Sequence, residues 1–332
     1  MADAVLVAMV TLLPLARLLT VEFGGSDEAI LLLNPELMRA CMAPNGDFFT
    51  VYGPLAFRVL KAAYSLLQPT ILVERLVGFA YHVAISLGIF FIVSRRHRAA
   101  GLETGLVSAA IGGAGAPLAF AWLGGLAAIT WAVVELDRAT YRSALIAGLL
   151  TGLAVGFRYE FIVIAIVLLA MAPPSHRSRF AGAVGVGITP VGAHLLQHWD
   201  QVLADVGSRL TLDARPQTTT LDWLLSGAAL VLASIAVLLF LAIRHRASGI
   251  AFPTRACAVV GVLCIPQMLQ RVDYYHAMFV GIFTVPAALG LAWAASASSR
   301  SWPTARRSRP PVWSSPSAPP SASAWSTSPN GP

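Results

Sequence analysis

The chain has 332 residues, of which 57% are hydrophobic and only 12% are charged, about half the charged fraction of an ordinary soluble domain. The formal net charge is +7, but the arginines stand in short clusters between apolar runs, as on the cytoplasmic side of a membrane protein. The composition therefore argues against a soluble globular protein and against nucleic-acid binding, and it predicts a multi-pass protein of the cell membrane.

Apolar stretches recur along the chain, and many approach the roughly 17–25 residues that a helix needs to cross a bilayer. They predict an all-α, polytopic membrane helical bundle of about ten transmembrane helices. The predicted helices cover Ala4–Thr20, Ile71–Val93, Leu102–Gly115, Pro117–Leu136, Ser143–Phe157, Phe161–Ala172, Phe180–His198, Trp223–Ile243, Phe252–Leu269 and Ala277–Ala295. The first is interpreted as a retained helix, because it lacks the basic start and cleavage site of a signal peptide.

A long polar segment, Gly24–Pro54, follows the first predicted helix. It is predicted to be a helical first extracytoplasmic loop, in which Asn34 and Pro35 end one short helix and begin another. The next segment, Leu55–Gln68, is amphipathic and shorter than a full span, so it is predicted to lie in the membrane interface.

The distribution of arginine predicts the topology. Basic clusters follow the even-numbered predicted helices, at Arg95–Arg98, Arg138–Arg142, Arg177–Arg179, Arg244–Arg246 and Arg306–Arg309. By the positive-inside rule these clusters and the N-terminus are cytoplasmic. The opposite face then receives Gly24–Pro54, Gly115–Pro117, Phe157–Glu160, Trp199–Asp222 and Gln270–His276. Most of the remaining acids and tyrosines belong to this second set, which predicts an extracytoplasmic active site.

The composition changes at Ser296, where Ser, Pro, Ala, Arg and Trp replace the apolar runs. Such a segment is predicted to be disordered. The predicted division is therefore a membrane domain, 1–295, with its loop at 24–54, and a tail, 296–332. A shifted reading frame in a GC-rich gene would also produce a tail of this composition, with further helices in the other frame.

Four residues of the first loop are candidates for chemistry. Asp27 and Glu28 either stabilise the first turn of a helix through its dipole or supply a general base, a role assigned to Asp27. Asp47 lies in the turn Asn45–Gly46–Asp47, which precedes an aromatic run ending in Tyr52, Gly53 and Pro54. Asp47 and Tyr52 are the predicted positioning residues for the acceptor or the loop.

A second group of candidates lies in the later polar turns. Arg158 either pairs with Glu160 at the interface or binds a lipid phosphate, which arginine recognises through two parallel hydrogen bonds. The turn from Gln270 to His276 concentrates polar groups between two apolar helices, and such clusters are costly unless solvated or functional. Arg271, Asp273 and His276 are therefore assigned to the phosphate site together with Arg158, whereas Glu74 and Arg75 are predicted either to pair with each other or to extend their charged ends to the membrane interface.

These motifs resemble those of the GT-C glycosyltransferases, polytopic enzymes that use polyprenyl-phosphate sugars and include protein O-mannosyltransferases and the aminoarabinose transferases of lipid A. The resemblance lies in Asp27–Glu28, in the acid followed by aromatics and Tyr-Gly-Pro, in the Gly-Leu-rich stretch Gly148–Glu160, and in Gln270–His276. It covers most of residues 1–295. Pro35 departs from the pattern, and the soluble C-terminal domain of some relatives has no counterpart.

The resemblance implies an inverting transfer of a sugar from a polyprenyl-phosphate donor to a glycan, lipid or protein acceptor. Asp27 would deprotonate the acceptor hydroxyl, and Glu28 or Asp47 would orient the acceptor or hold a divalent cation, Mg²⁺ or Mn²⁺. No metal ligand set is assigned. Arg158, Arg271 and His276 would neutralise the phosphate as charge develops on it.

Two alternative functions remain open from the sequence. A secondary transporter would have repeated halves and broken helices near the bilayer midplane, and no such repeat is visible. A non-catalytic membrane subunit of cell-envelope assembly would have scattered acids without a shared cavity. A pocket open to one side and lined by Asp27 and Arg271 would favour the enzyme.

Overall fold

The computed structural model describes residues 1–14, 26–114, 118–212, 226–245, 251–270 and 274–300. Within these ranges the protein is all-α, as predicted, and contains no strand. The helices are α1 Ala2–Leu12, α2 Ser26–Arg39, α3 Pro54–Leu67, α4 Ile71–Ser94, α5 Arg98–Ala114, α6 Ala121–Leu136, α7 Tyr141–Phe157, α8 Phe161–Met171, α9 Arg177–Leu212, α10 Ala228–Arg244, α11 Ala251–Gln270 and α12 Tyr274–Arg300.

Four helices in the described part of the chain are long and apolar enough to cross a membrane. These spans are Ile71–Ser94, Pro174–Ser208, Phe252–Leu269 and Tyr274–Ala297. Several other helices are apolar but shorter; α7, for example, has 17 residues, about 25 Å of helix against a hydrocarbon core of about 30 Å. The four candidate spans support the prediction of a membrane protein by their length and composition, whereas the total of ten spans and the GT-C type stay predictions.

Helix α6 lies at the centre of the main hydrophobic core. Leu126, Ile129 and Val133 on α6 are fully buried and belong to one cluster with residues of α4, α7 and α12. Small residues let the neighbouring helices approach closely, as where α7 packs along α9 at Gly148 and Gly152. This core holds the long helices in fixed positions and leaves the polar segments at their ends.

A second, smaller core fixes α2 and α3 on this bundle. Leu31 and Met38 of α2 pack with Phe57, Leu60 and Tyr64 of α3. The Tyr64 hydroxyl donates to the Leu31 carbonyl at 3.2 Å, and Lys61 donates to the Met38 carbonyl at 2.8 Å. Because higher numbers on α2 face lower numbers on α3, the two helices run antiparallel.

The bundle has two polar ends. At the basic end, α4 and α6 finish and α5, α7 and α9 begin; at the loop end, α4 and α6 begin and α7 finishes. The 24 residues of α4 separate these ends by about 36 Å. The clusters Arg95–Arg98, Arg138–Arg142 and Arg177–Arg179 all lie at the basic end, together with Asp3, which binds Arg98 at 2.5 Å.

Several predicted boundaries and contacts are wrong. α2 continues through Pro35 instead of breaking there, because Leu31 and Met38 hold it against α3 on both sides of the proline. The predicted pair Glu74–Arg75 does not form: side chains of consecutive helical residues do not face each other, and Arg75 binds Glu28 instead.

Two helices extend beyond their predicted ends. α9 continues past His198 to Leu212 with a kink at His198, so more than half of the polar segment predicted at Trp199–Asp222 is helical. α12 continues to Arg300, five residues into the predicted tail. The rest of the tail, and the end of the first predicted helix after residue 14, fall outside the described residues.

Candidate functional site

The loop between α2 and α3 is hydrogen-bonded to the C-terminal half of α9. Asn45 has a positive φ of 58°, a conformation that asparagine tolerates better than most residues. Its amide nitrogen donates to the Thr50 carbonyl and to Oδ2 of Asp205, both at 2.6 Å. The Thr50 N–H donates to the same Asp205 oxygen at 3.2 Å. Asp205 therefore holds the loop against α9.

The same amide fixes the orientation of a histidine. Since both hydrogens of the Asn45 side chain are used, its carbonyl oxygen faces Nε2 of His194, 3.1 Å away, so that His194 is the donor. The ring of His198, one turn later, lies 5.0 Å from that of His194. The kink at His198 accordingly falls where α9 meets the loop.

These elements enclose an open cavity of about 580 Å³ at the loop end, which we call the cationic cleft. Its lining consists of Met38, Cys41, Met42, Ala43, Pro44, Arg58, Lys61, Ala62, Ser65, His194, Gln197 and His198. Two permanent cations and two imidazoles thus face one cavity whose described lining contains no carboxylate. Such a cavity is suited to an anion, and its methionine and alanine side chains provide apolar surface beside the charges.

Arg158 occupies a separate, buried position at the end of α7. Its side chain is only 2% exposed, and its guanidinium carbon lies 5.9 Å from the ring centre of Tyr52 and 5.5 Å from that of Trp122. It pairs with Glu160, which is half exposed. The N–H of Gly53 donates to the Phe157 carbonyl at 2.9 Å. The first loop and the turn around Arg158 are thus in direct contact.

The tyrosine beside Arg158 has an altered acidity. Burial raises the pKa of Tyr159 above its usual range, with smaller contributions from the negative charges of Asp205 and Glu160. The Tyr159 hydroxyl is therefore a neutral donor at physiological pH, and among the described residues it has no hydrogen-bond partner.

Glu28 is part of a buried ion pair. Its two carboxylate oxygens accept hydrogen bonds from Arg75 at 2.6 and 3.1 Å, and the side chains are 0% and 2% exposed. Glu74 accepts from the backbone N–H of Ala119 at 2.6 Å. These contacts tie α2 and the start of α6 to α4, so Glu28 has a structural use in addition to its predicted role.

Asp27 and Arg158 lie far apart at the loop end. Asp27 is exposed in the first turn of α2, and the antiparallel packing places that turn beside the C-terminal end of α3. Arg158 lies beside Tyr52, which precedes the N-terminal end of α3. The 14 residues of α3 separate the two positions by about 20 Å. Tyr52 and Arg158 are therefore brought together, whereas Asp27 is not brought to either.

Of the four remaining predicted site residues, the structure describes Asp47 and His276. Asp47 is exposed and accepts a hydrogen bond at 2.7 Å from the N–H of Ala43, a residue of the cationic cleft. His276 is half-buried in the first turn of α12, with its ring 5.9 Å from that of Phe279. Arg271 and Asp273 lie outside the described residues.

The sequence predicted no site role for the residues that line the cleft. Arg58 and Lys61 belong to the segment Leu55–Gln68, which was predicted only to lie in the membrane interface, and His194 and His198 were not among the candidate site residues. Their spacing of four residues, which places both rings on one helix face, was a usable signal. No feature of the sequence distinguished Asp205.

Among the residues that the structure describes, no group of three or more His, Cys, Asp or Glu side chains could hold a metal ion.

No family model matches the sequence, and searches of curated proteins and of solved structures find no significant similarity. The described part of the chain is thus all-α, with four helices long and apolar enough to cross a membrane, and its candidate site lies at the loop end.

Proposed function

We propose that this protein is a membrane glycosyltransferase that moves a sugar, with inversion, from a polyprenyl-phosphate donor to an extracytoplasmic acceptor. The observation that carries this proposal is the cationic cleft. Arg58, Lys61, His194 and His198 face one open cavity of about 580 Å³. Guanidinium and ammonium groups are the usual partners of phosphate oxygens in proteins.

The surroundings of the cleft suit a phosphate that is attached to a lipid. Met38, Met42 and Ala62 contribute apolar surface inside the cleft, and Leu66 and Leu67 are exposed at the end of α3. An amphipathic helix that presents cations and exposed leucines lies favourably at a membrane interface. A prenyl chain can therefore stay in the bilayer along α3 while its phosphate reaches Arg58 and Lys61.

In the proposed reaction the acceptor oxygen attacks the anomeric carbon from the side opposite the phosphate. The bond from that carbon to the phosphate oxygen breaks, and its electron pair stays on the phosphate, where Arg58 and Lys61 stabilise the added charge. The acceptor proton passes to a carboxylate. Two carboxylates are candidates for this base: Asp27, which the resemblance implies but which does not line the cleft, and Asp47, which is held beside the cleft through Ala43. Glu28 positions α2 through Arg75.

A transfer assay with a charge-removal variant tests the proposal. Membranes that contain the protein are incubated with labelled polyprenyl-phosphate sugars, and label that reaches an acceptor is measured. We expect Arg58→Gln/Lys61→Gln to lower transfer at least about tenfold, because each lost charge–phosphate hydrogen bond contributes roughly 1.5–3 kcal/mol. Arg39→Gln on α2, where Arg39 is exposed and pairs with Glu36, is the matched control.

Two results would overturn the proposal. One is the absence of transfer from any lipid-phosphate sugar by membranes that contain the folded wild-type protein. The other is an equal rate for wild-type and doubly substituted protein, which would remove the cleft from the reaction.

A further inference from the structure

The basic end contains two kinds of arginine. Arg95 and Arg96 share Asp137, Arg98 pairs with Asp3, and Arg138 pairs with Glu135 at 2.5 Å. Arg142 and Arg179 form no ion pair with a described residue, and both side chains are exposed. Arg177 also forms no ion pair with a described residue, but its guanidinium donates to the carbonyls of Ala170 and Ala172. Arg142 and Arg179 therefore remain as the two exposed guanidinium groups at the junction of α7 and α9 with neither a carboxylate nor a carbonyl partner among the described residues.

The geometry around these two arginines adds to the positive potential. The guanidinium carbon of Arg179 lies 4.1 Å from the ring centre of Tyr141, and Arg142 follows Tyr141 in the first turn of α7. Helices α7 and α9 both begin here, and neither has an acid in its first turn. Since the N-terminus of a helix carries a partial positive charge, two helix dipoles reinforce the two arginines.

An apolar surface continues from this charged corner along α7. Leu145, Ile146 and Leu149 are exposed, and they lie roughly 6–12 Å along the helix axis from Tyr141, at 1.5 Å per residue. A free phosphate ion would make no use of these side chains. A phospholipid would cover them with an acyl chain while its headgroup met the arginines.

We propose that Tyr141, Arg142 and Arg179, together with Leu145, Ile146 and Leu149, form a binding surface for one anionic membrane phospholipid. The headgroup phosphate lies between the two guanidinium groups, and an acyl chain lies along α7. Basic residues beside a membrane helix attract anionic lipid headgroups. This site lies at the end of the bundle opposite the cationic cleft, and it does not depend on the proposed sugar transfer.

Native mass spectrometry of the full-length protein in detergent tests the proposal. Phosphatidylglycerol and phosphatidylcholine with identical acyl chains are added in turn, and the bound fraction is measured for each. We expect the wild type to prefer phosphatidylglycerol, and Arg142→Gln/Arg179→Gln to lose about tenfold or more of that preference, since each arginine contributes about 1 kcal/mol near an anionic lipid surface. Arg142→Lys/Arg179→Lys should retain most of it.

The control variant is Arg98→Gln, which removes an exposed arginine that is already paired. We expect it to bind phosphatidylglycerol as the wild type does, and we expect inorganic phosphate at the lipid concentration to leave the bound lipid in place. Equal binding of the two lipids to the wild type, an equal loss in Arg98→Gln, or displacement by inorganic phosphate would each overturn the proposal. If the double variant does not fold, Arg142→Gln alone gives the same comparison.

Discussion

The two ends of the bundle use arginine and carboxylate in different ways. At the basic end, Arg98 and Asp3 form a pair whose side chains are 77% and 19% exposed. At the loop end, Arg75 and Glu28 form a pair that is 2% and 0% exposed. Exposed pairs contribute little to stability because water screens them, whereas a buried pair becomes costly when one partner is lost.

The difference indicates how each end is built. At the basic end the arginines are more exposed than the carboxylates that pair with them: Asp137 and Glu135 are only 4% and 7% exposed, whereas Arg98 is 77% exposed. Arg142 and Arg179 are exposed there without an ion pair to a described residue. The loop end uses the buried Arg75–Glu28 pair and the hydrogen bonds of Asn45 to hold irregular backbone against helices, and it directs Arg58 and Lys61 into the cationic cleft. Rigid support under a group of exposed charges is the arrangement expected of a binding or catalytic site.

The largest expected effect is on the rate of sugar transfer, and it distinguishes variants of the loop end from variants of the basic end. If the loop end carries the reaction, Asp27→Asn or Asp47→Asn should lower sugar transfer by about 100- to 10,000-fold, the usual contribution of a general base. Asp137→Asn at the basic end should leave the transfer rate per folded molecule unchanged. The same labelled-donor assay measures all three variants. Full activity in both loop-end variants would remove the carboxylate base from the proposed mechanism.

The next largest effect is on stability, and it concerns the buried pair of Arg75 and Glu28. Glu28→Gln leaves the Arg75 guanidinium buried opposite a neutral amide, and we expect it to lower the free energy of unfolding by about 3–5 kcal/mol. Glu36→Gln is the control in the same helix, because Glu36 pairs with Arg39 in solvent, and it should change stability by less than about 1 kcal/mol. Thermal unfolding in detergent compares them. Similar melting temperatures for the two variants would contradict the role given to the buried pair.

A smaller effect on stability is expected from the hydrogen bonds of the Asn45 side chain. Asn45→Ala removes the hydrogen bonds to Thr50 and Asp205 and the acceptor for His194, at a cost of about 1–3 kcal/mol. Limited proteolysis of the loop should become faster, and donor affinity should fall because His194 loses its fixed orientation. Gln201→Ala, an exposed substitution in the same half of α9, serves as the control. Unchanged proteolysis in Asn45→Ala would show that the loop is held by other contacts.

The smallest effect is expected at Asp3. Its hydrogen bond with Arg98 lowers the pKa of Asp3 below the ordinary value of 3.8. Because the pKa of Asp3 is lower in the folded protein, its ionised carboxylate stabilises the fold at pH values above the ordinary pKa. This contribution is lost as the pH falls through the pKa of the folded protein. Wild type and Asp3→Asn should therefore differ by the same small amount at pH 6 and pH 8, and their melting curves should converge toward pH 3. A difference between them that appears only above pH 7 would contradict this assignment.

The sequence by itself determined the class of the fold and much of its outline. Long apolar runs have few structural solutions in a bilayer, because every backbone hydrogen bond must be satisfied within the segment. The stretches predicted at Ile71–Val93 and Phe252–Leu269 are therefore helices with nearly the predicted ends. Three of the predicted arginine clusters, at Arg95–Arg98, Arg138–Arg142 and Arg177–Arg179, lie at one end of the bundle, whereas the orientation of that end in a membrane stays a prediction.

Only the tertiary structure decided which polar groups meet. Local rules predicted a break at Pro35 and a pair between Glu74 and Arg75, but packing against α3 carries α2 through the proline and brings Glu28 to Arg75. The cationic cleft draws Arg58 and His194 from positions 136 residues apart, and no local pattern encodes such a contact. Burial and hydrogen bonding between distant segments depend on how whole helices pack, which composition and periodicity do not specify.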